Sequence, residues 1–308
     1  MTVYVFSQGF NKLPSGGVKV LFDIVKTLSE NGITSKLLIP GGNFNVDWFD
    51  NEIEIENNGD NLQKNDIVIL HEETLWAWDK IAAKNCKIAI LNQGAHWSLT
   101  NYLGYEKTKE IYKKALFVAV NSYYTKELAD RLFDINSTVI TLPVDNNLFK
   151  PSSKQNRISY MPRRNSETAE CIAQYVKGKH TDWEVYAIDN LKHRDVALVL
   201  STSKIFLSFG GPEGFGLPPL EAALSGCYVI GYHGFGGQEF FYKPLFEPVA
   251  FMEVIPFLDA VDKAVIDYKN TSPLESSREC LDQYNMLKNI YNENNFNNNI
   301  LKLIKGVL

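Results

Sequence analysis

Two glutamates flank a glycine-rich turn between a predicted strand and a predicted helix. The segment 213–221 reads Glu-Gly-Phe-Gly-Leu-Pro-Pro-Leu-Glu, so seven residues separate Glu213 from Glu221. The glycines allow a ligand to approach the backbone. The free N–H groups at the start of the helix favour an anion such as a phosphate. Because carboxylates accept hydrogen bonds from sugar or ribose hydroxyls, the segment predicts a site for a ligand with phosphate and hydroxyl groups.

Two other interpretations of this segment exist. A dinucleotide-binding loop has a third glycine where this chain has Pro219, and no ribose-binding acid follows at a suitable distance. A nicotinamide cofactor is therefore not predicted, and the sequence implies no cofactor. A tight turn with an acidic first helical turn remains as the structural alternative.

The elements that must position this segment alternate along the chain. Short apolar strands and amphipathic helices follow one another from Thr2 onwards, and the pattern restarts with a strand at Arg157. This alternation predicts an α/β fold with two doubly wound Rossmann-like domains facing a cleft. The predicted domains cover residues 1–150 and 151–285, and a helix within 286–308 is expected to pack back across them.

Composition and charge exclude several classes of protein. The 308 residues carry 31 Lys and Arg against 36 Asp and Glu, and a net charge of -5 argues against a nucleic-acid partner. No apolar stretch is long enough for a transmembrane segment, and the first residues do not resemble a signal peptide. The four cysteines have no metal-binding spacing, so the sequence favours a cytoplasmic protein without a metal site.

The spacing of Glu213 and Glu221 resembles the E-x7-E motif of retaining glycosyltransferases with the GT-B fold. The resemblance is closest to the large family of bacterial cell-surface and sucrose-type transferases, family four of the carbohydrate-enzyme classification. Three further segments are similar to that family in chain order: Ser15-Gly16-Gly17, residues 143–151, and Gly236-Gly237 with Glu239. The resemblance therefore spans residues 2–240.

The resemblance implies a role for each part of these motifs. The first domain would bind the acceptor and the second a nucleotide-sugar donor. Glu221 would contact the ribose, and Glu213 would be a catalytic residue beside the donor sugar. Gly16 and Gly17 would approach the diphosphate from the first domain. Members of the family generally transfer the sugar with retention and without a metal. The backbone amides that would line the donor belong to Gly214, Phe215, Gly216 and Leu217.

One segment departs from the pattern of the family. Most relatives have a Gly-Arg pair and then a Lys-Gly pair after the first strand of the second domain, whereas this chain has Arg163 and Arg164 and no lysine before Lys177. Arginine binds phosphate through parallel N–H bonds. Arg163 and Arg164 are therefore predicted to contact the diphosphate; the alternative is a solvated basic turn.

The first domain offers weaker candidates. The resemblance implies a catalytic histidine after the strand 87–91, and His96 is assigned to that role, with His71 as a weaker candidate. A helix with four lysines, residues 107–114, could contact a lipid-linked acceptor at a membrane surface, although interleaved glutamates favour a solvated face.

The resulting hypothesis is an enzyme that transfers a hexosyl or related sugar from a nucleotide-sugar to a glycan, a lipid-linked acceptor or a small molecule. Because the family lysine is missing, a non-catalytic glycan-binding or partner subunit remains as an alternative. A nucleotide-sugar epimerase on a similar fold is the third hypothesis.

Overall fold

The computed structural model describes residues 1–8, 15–41, 46–49, 52–100 and 102–308. The chain divides into two compact units: an N-terminal unit, Met1–Leu142 with Asn294–Leu308, and a C-terminal unit, Pro143–Glu293. The division lies eight residues before the predicted boundary at 150. Phe149, in the segment between, is buried, and its ring lies 5.0 Å from the ring of His193 in the C-terminal unit.

The N-terminal unit contains a seven-stranded parallel sheet of order β3-β2-β1-β4-β5-β6-β7. Because β1 lies in the middle and the chain extends the sheet in both directions, the carboxyl ends of β1 and β4 are neighbours at the switch in strand order. The strands are β1 Val3–Phe6, β2 Ser35–Leu38, β3 Ile55–Glu56, β4 Ile67–His71, β5 Lys87–Asn92, β6 Val118–Val120 and β7 Thr138–Val139.

In the described part of the N-terminal unit four α-helices connect these strands, and their ends follow local sequence signals. The sequence predicts Ser122 as a helix cap, and its hydroxyl accepts a hydrogen bond from the Thr125 N–H at 3.0 Å. Each lysine of the basic segment 107–114 has a partner, either a carboxylate or an aromatic ring. The helices are α1 Gly16–Glu30, α2 Trp78–Ala82, α3 Tyr105–Lys114 and α4 Tyr123–Phe133.

The C-terminal unit contains a five-stranded parallel sheet of order β12-β11-β10-β8-β9. Its elements are β8 Gln155–Tyr160, α5 Ser166–Lys179, β9 Glu184–Ala187, α6 His193–Thr202, β10 Ser203–Glu213, α7 Leu217–Leu224, β11 Tyr228–Phe235, β12 Phe246–Pro248, α8 Val254–Asp267, α9 Pro273–Ser276 and α10 Arg278–Ile290.

Strand β10 is longer than the sequence predicts. The expected end is Phe209, with a loop over 210–216, but the strand continues to Glu213. The extension pairs with β11 after a register shift between Gly210 and Glu213, where Glu213 lies opposite Phe235. The two glycines that make the segment resemble a loop permit this irregular pairing. Glu213 is consequently held by the sheet rather than by a loop.

The half-buried Lys154 joins the carboxyl ends of two helices. The ammonium group of Lys154 donates hydrogen bonds to the carbonyls of Leu200 and Ser203, at 3.2 and 2.8 Å, and to that of Ser225. These carbonyls lie at the carboxyl ends of α6 and α7, where a positive charge is favourable. Lys154 therefore fixes two helices whose other residues line the candidate site.

The last helix, α11 Glu293–Lys305, packs within the N-terminal unit. The side-chain oxygen of Asn297 accepts a bond from the Thr27 hydroxyl at 2.7 Å, and that of Asn299 accepts one from the Thr141 N–H at 2.9 Å. Asn297 and Asn299 thus bind helix α1 and the segment after β7 of the N-terminal unit. No helix among the described residues is both long and apolar enough to cross a membrane.

Candidate functional site

The Glu213 carboxyl lies in a pocket formed by glycines. A Cβ atom added to Gly210 or Gly234 would lie 2.5 or 2.7 Å from Glu213 Oε1, and one added to Gly216 would lie 3.3 Å from it. Burial raises the pKa of Glu213 to about 7, and the positive charge of Arg164 lowers it in part. The Glu213 carboxyl therefore changes its charge near neutral pH. Any side chain larger than that of glycine at position 210 or 234 would collide with it.

The turn after Glu213 is fixed by close backbone contact. Gly214, Phe215 and Gly216 are buried, and Gly216 has a φ of 89° at the cap of α7. A Cβ atom on Gly236 would lie 2.0 Å from the carbonyl oxygen of Gly214, so no other residue fits there. The backbone of Gly236 therefore packs directly on the turn and sets its path.

Phe215 and Leu217 are both predicted to line the donor, but their side chains lie in different surroundings. The Phe215 ring is buried against the rings of Phe240 and Tyr291, at 5.2 and 5.5 Å. Its side chain anchors the turn, so only its backbone can contact a ligand. Leu217 begins α7 and is half-buried.

Glu221 lies on α7 and contacts a histidine that the sequence analysis did not select. The Nε2 atom of His193 is 3.3 Å from Glu221 Oε1, and only 15% and 12% of the two side chains are exposed. The His193 ring in turn packs edge-on against Phe149. His193 thus orients one oxygen of the carboxylate that the motif points to.

Arg163 and Arg164 lie in the exposed turn between β8 and α5. The next residue, Asn165, joins this turn to β10, because its side-chain amide donates a bond to the Phe209 carbonyl at 2.8 Å. The positive charge of Arg164 is close enough to Glu213 to lower the pKa of that carboxyl. The arginine turn and the glutamate turn therefore lie at the same edge of the second sheet.

Gly16 and Gly17 form the first turn of α1 in the N-terminal unit. The side-chain amide of Gln93 donates a hydrogen bond to the Gly17 carbonyl at 3.1 Å. A Cβ atom on Gly17 would lie 3.5 Å from the same side chain. The helix start is thereby tied to the end of β5.

His96 lies in a short 3₁₀ turn after β5 and is half-buried. Its Nε2 atom is 3.0 Å from the hydroxyl of Tyr124, and the two rings stack at 5.5 Å. His71 instead ends β4 and is buried, which lowers its pKa to about 4. At neutral pH the His71 ring is uncharged.

Sequence reasoning also missed Glu72, which follows His71 and is 5% exposed. Its Oε2 atom accepts a bond from the Gln93 N–H at 2.9 Å, and burial raises its pKa to about 8. The position of Glu72, directly after a buried strand, was the sequence signal that could have identified it as a candidate site residue. Within the described ranges no group of three His, Cys, Asp or Glu side chains could hold a metal ion; a metal-independent reaction remains a prediction.

Comparison with known proteins shows similarity to a curated glucosyltransferase. No family model matches the chain. An alpha-1,6-glucosyltransferase of Actinobacillus pleuropneumoniae serotype 7 is 28% identical over 251 residues, which cover 73% of this chain and 71% of the relative.

Two solved structures superpose on nearly the whole chain. Sucrose-phosphate synthase from Thermosynechococcus elongatus has a TM-score of 0.75 at 13% identity, covering 99% of this chain and 98% of its own. Anabaena HepE, solved with UDP-glucose, has a TM-score of 0.70 at 13% identity, covering 99% and 100%. The predicted fold class is confirmed: the two parallel-sheet α/β domains match the GT-B fold of glycosyltransferases.

Proposed function

We propose that the protein is a retaining glycosyltransferase that uses a nucleotide-sugar donor. The observation that carries the proposal is the geometry around β10 and α7. Glu213, whose carboxyl lies among glycines, and Glu221, whose carboxylate contacts a histidine, flank a glycine turn whose amides begin a helix. The glucosyltransferase of A. pleuropneumoniae supports this activity, and the UDP-glucose complex of HepE supports UDP-glucose as the first donor to test.

In the proposed reaction the bond between the anomeric carbon and the diphosphate breaks, and the acceptor hydroxyl forms the new bond on the same face of the sugar. The acceptor proton leaves with the diphosphate. Positive charge develops at the anomeric carbon, beside Glu213. Negative charge develops on the diphosphate, which Arg163, Arg164 and the amides of the turn stabilise. The acceptor is a glycan, a lipid-linked sugar or a small molecule.

The two acidic residues have different roles in this proposal. Glu221 binds the ribose hydroxyls through the oxygen that His193 leaves open, and this contact is the same in the ground state and the transition state. Glu213 lies where charge develops only in the transition state. Residues of the first kind change affinity, whereas residues of the second kind change the rate.

Replacing Glu221 with alanine is expected to weaken UDP-glucose binding by about 1–3 kcal/mol, roughly 5- to 150-fold, because hydrogen bonds to a charged group are lost. Isothermal titration calorimetry with UDP and UDP-glucose measures the change. A matched control is Glu167→Gln on the exposed first turn of α5, which should bind as the wild type does. Unchanged affinity in Glu221→Ala would remove this residue from the donor site.

His193→Phe tests the partner of Glu221. The ring still fills the space beside Phe149, but the contact between Nε2 and Glu221 Oε1 is lost. We expect UDP to bind about 3- to 10-fold more weakly, the scale of one hydrogen bond. Titrations of His193→Phe and wild type side by side measure the difference. Identical affinities would show that Glu221 needs no orientation by His193.

The first experiment is a thermal-shift assay of the wild type with nucleoside diphosphates and their sugars. Ligand at a hundred times its dissociation constant should add about 2.7 kcal/mol to the unfolding free energy. Product analysis with the donor alone then separates the reaction classes, since an epimerase changes the sugar but leaves it attached to the nucleotide. Nucleotide binding without transfer to any acceptor would favour the non-catalytic subunit.

A further inference from the structure

The end of β11 carries a backbone conformation that is rare for a residue with a side chain. Phe235 has a φ of 66° and a ψ of -58°. These angles are close to those of the γ-turn that is uncommon and strained in proteins. Strained backbone persists only where the surrounding contacts enforce it, and it is frequent at functional sites. The turn at Phe235, residues 234–236, therefore calls for a contact that holds it.

His233 supplies such a contact from two residues earlier in the chain. Its Nδ1 atom accepts a hydrogen bond from the Phe235 N–H at 3.0 Å. Because a backbone N–H only donates, Nδ1 carries no proton, and the proton of the neutral ring is on Nε2. Burial lowers the pKa of His233, so the ring is neutral at pH 7. The bond spans the same two residues as the side-chain bond of an Asx turn.

The His233 ring is also fixed in its orientation. It packs edge-on against the rings of Phe235 and Phe241, with centroids 5.9 and 6.5 Å away. A Cβ atom on Gly237 would lie 3.7 Å from the Cβ atom of His233. Contacts from the strand and from the residues that follow it therefore keep Nδ1 directed at the Phe235 N–H.

The turn at Phe235 forms one wall of the Glu213 pocket. Phe235 lies opposite Glu213 in the ladder between β10 and β11. A Cβ atom on Gly234 would lie 2.7 Å from Glu213 Oε1 and 2.8 Å from its Cγ. On the other side of Phe235, the backbone of Gly236 packs on Gly214. Because the turn and the glutamate are in direct contact, a change in the turn would displace the carboxyl.

We propose that His233 is a positioning residue for the transfer reaction: by holding the turn at Phe235, its Nδ1 atom fixes the carboxyl of Glu213. The inference rests on the proposed function only for the reaction, since the contact between the turn and the carboxyl stands without it. A carboxylate stabilises developing positive charge best when its position is fixed before the reaction. In this role His233 acts through Glu213 and needs no contact with the donor sugar.

Three substitutions of His233 separate the hydrogen bond from the volume of the ring. In His233→Asn, Oδ1 is as many bonds from Cα as Nδ1 is, so the Phe235 N–H keeps an acceptor. In His233→Gln the amide oxygen corresponds to Nε2, and in His233→Leu a methyl group takes the place of Nδ1. The matched control is His180→Leu, which removes a 2.6 Å contact to Asp262 at the end of α5 away from the arginine turn. The melting temperature of each variant checks that it folds.

Carbon-13 NMR of protein labelled at the glutamate carboxyls measures the environment of Glu213 without any reaction. The signal of Glu213 is the one that is absent from Glu213→Gln. Between pH 5 and pH 9 we expect the pKa of this carboxyl to agree in the wild type, His233→Asn and His180→Leu. In His233→Gln and His233→Leu the pKa should fall by about one unit, because water reaches the displaced carboxyl. The positive charge of Arg164, which also acts on this pKa, is the same in every variant.

Release of UDP from UDP-glucose, with water as the acceptor, measures the consequence for the rate. We expect His233→Asn to release UDP within about twofold of the wild-type rate, and His233→Gln and His233→Leu to release it about tenfold more slowly, since a small displacement of a reacting group costs rate. An equal pKa of Glu213 in all variants, or no rescue by His233→Asn, would overturn the inference. A wild type that releases no UDP contradicts the proposed function instead, and the NMR titration still decides whether His233 positions Glu213.

Discussion

A Glu213→Gln variant is expected to transfer sugar roughly 100-fold more slowly than the wild type while binding UDP-glucose within about twofold. The reason is the position of the carboxyl, which lies among Gly210, Gly216 and Gly234 where the amide of glutamine also fits. The substitution keeps the volume but removes the negative charge that, in the proposed reaction, stabilises the transition state. Initial rates at saturating donor give kcat, and calorimetry gives the affinity.

The pH dependence provides a second measure of the same prediction. Because burial raises the pKa of Glu213 to about 7, the wild-type carboxyl gains its charge as the pH rises from about 6 to about 8. The wild-type kcat should therefore rise through that range, and kcat of Glu213→Gln should stay flat there. Glu253→Gln, an exposed residue before α8, is the matched control. Equal losses of rate and of donor affinity in Glu213→Gln would contradict a transition-state role.

Glu72→Gln is expected to be more stable than the wild type at alkaline pH, by up to about 5 kcal/mol. Burial raises the pKa of Glu72 from 4.5 to about 8, and a tenfold change in proton affinity corresponds to about 1.4 kcal/mol. Between these two values the native state holds a proton that the unfolded state has released. The free energy of unfolding therefore falls as the pH rises from 4.5 to about 8, and the glutamine variant escapes this loss.

Urea denaturation at pH 5, 7 and 9 measures the effect. The difference between Glu72→Gln and wild type should be small at pH 5 and largest at pH 9. The neighbouring Glu73 is exposed, so Glu73→Gln serves as the matched control and should follow the wild type at each pH. A constant difference between Glu72→Gln and wild type across the range would show that Glu72 titrates normally.

The two-domain α/β fold was predictable because short apolar strands and helices of clear periodicity carry their signal locally. Ser122 is an example of such a local signal. A serine directly before an amphipathic segment predicts the start of a helix, and the Ser122 hydroxyl does cap α4. The strand β10 shows its limit. Pairing of Gly210 to Glu213 with β11 depends on a strand fifteen or more residues away, and nothing in a glycine-rich segment encodes it.

The site was only partly predictable for the same reason. The motif predicts Glu213 and Glu221 as candidate site residues because both lie within one short segment of chain. His193 reaches Glu221 from another helix, 28 residues earlier, and carries no sequence pattern of its own. Likewise, a histidine near the end of an apolar strand is ordinary. Only the structure shows that His233 binds the Phe235 N–H, opposite Glu213.

The placement of α11 has a consequence for synthesis on the ribosome. The C-terminal unit is one continuous stretch, whereas the N-terminal unit needs residues 294–308, which are translated after all of the C-terminal unit. The bonds from Asn297 and Asn299 to the N-terminal unit can form only then. In co-translational folding the N-terminal domain generally folds first. Here the N-terminal unit can complete its contacts only after the whole C-terminal unit has been synthesised. The nascent chain carries an incomplete first unit until its last helix emerges from the exit tunnel.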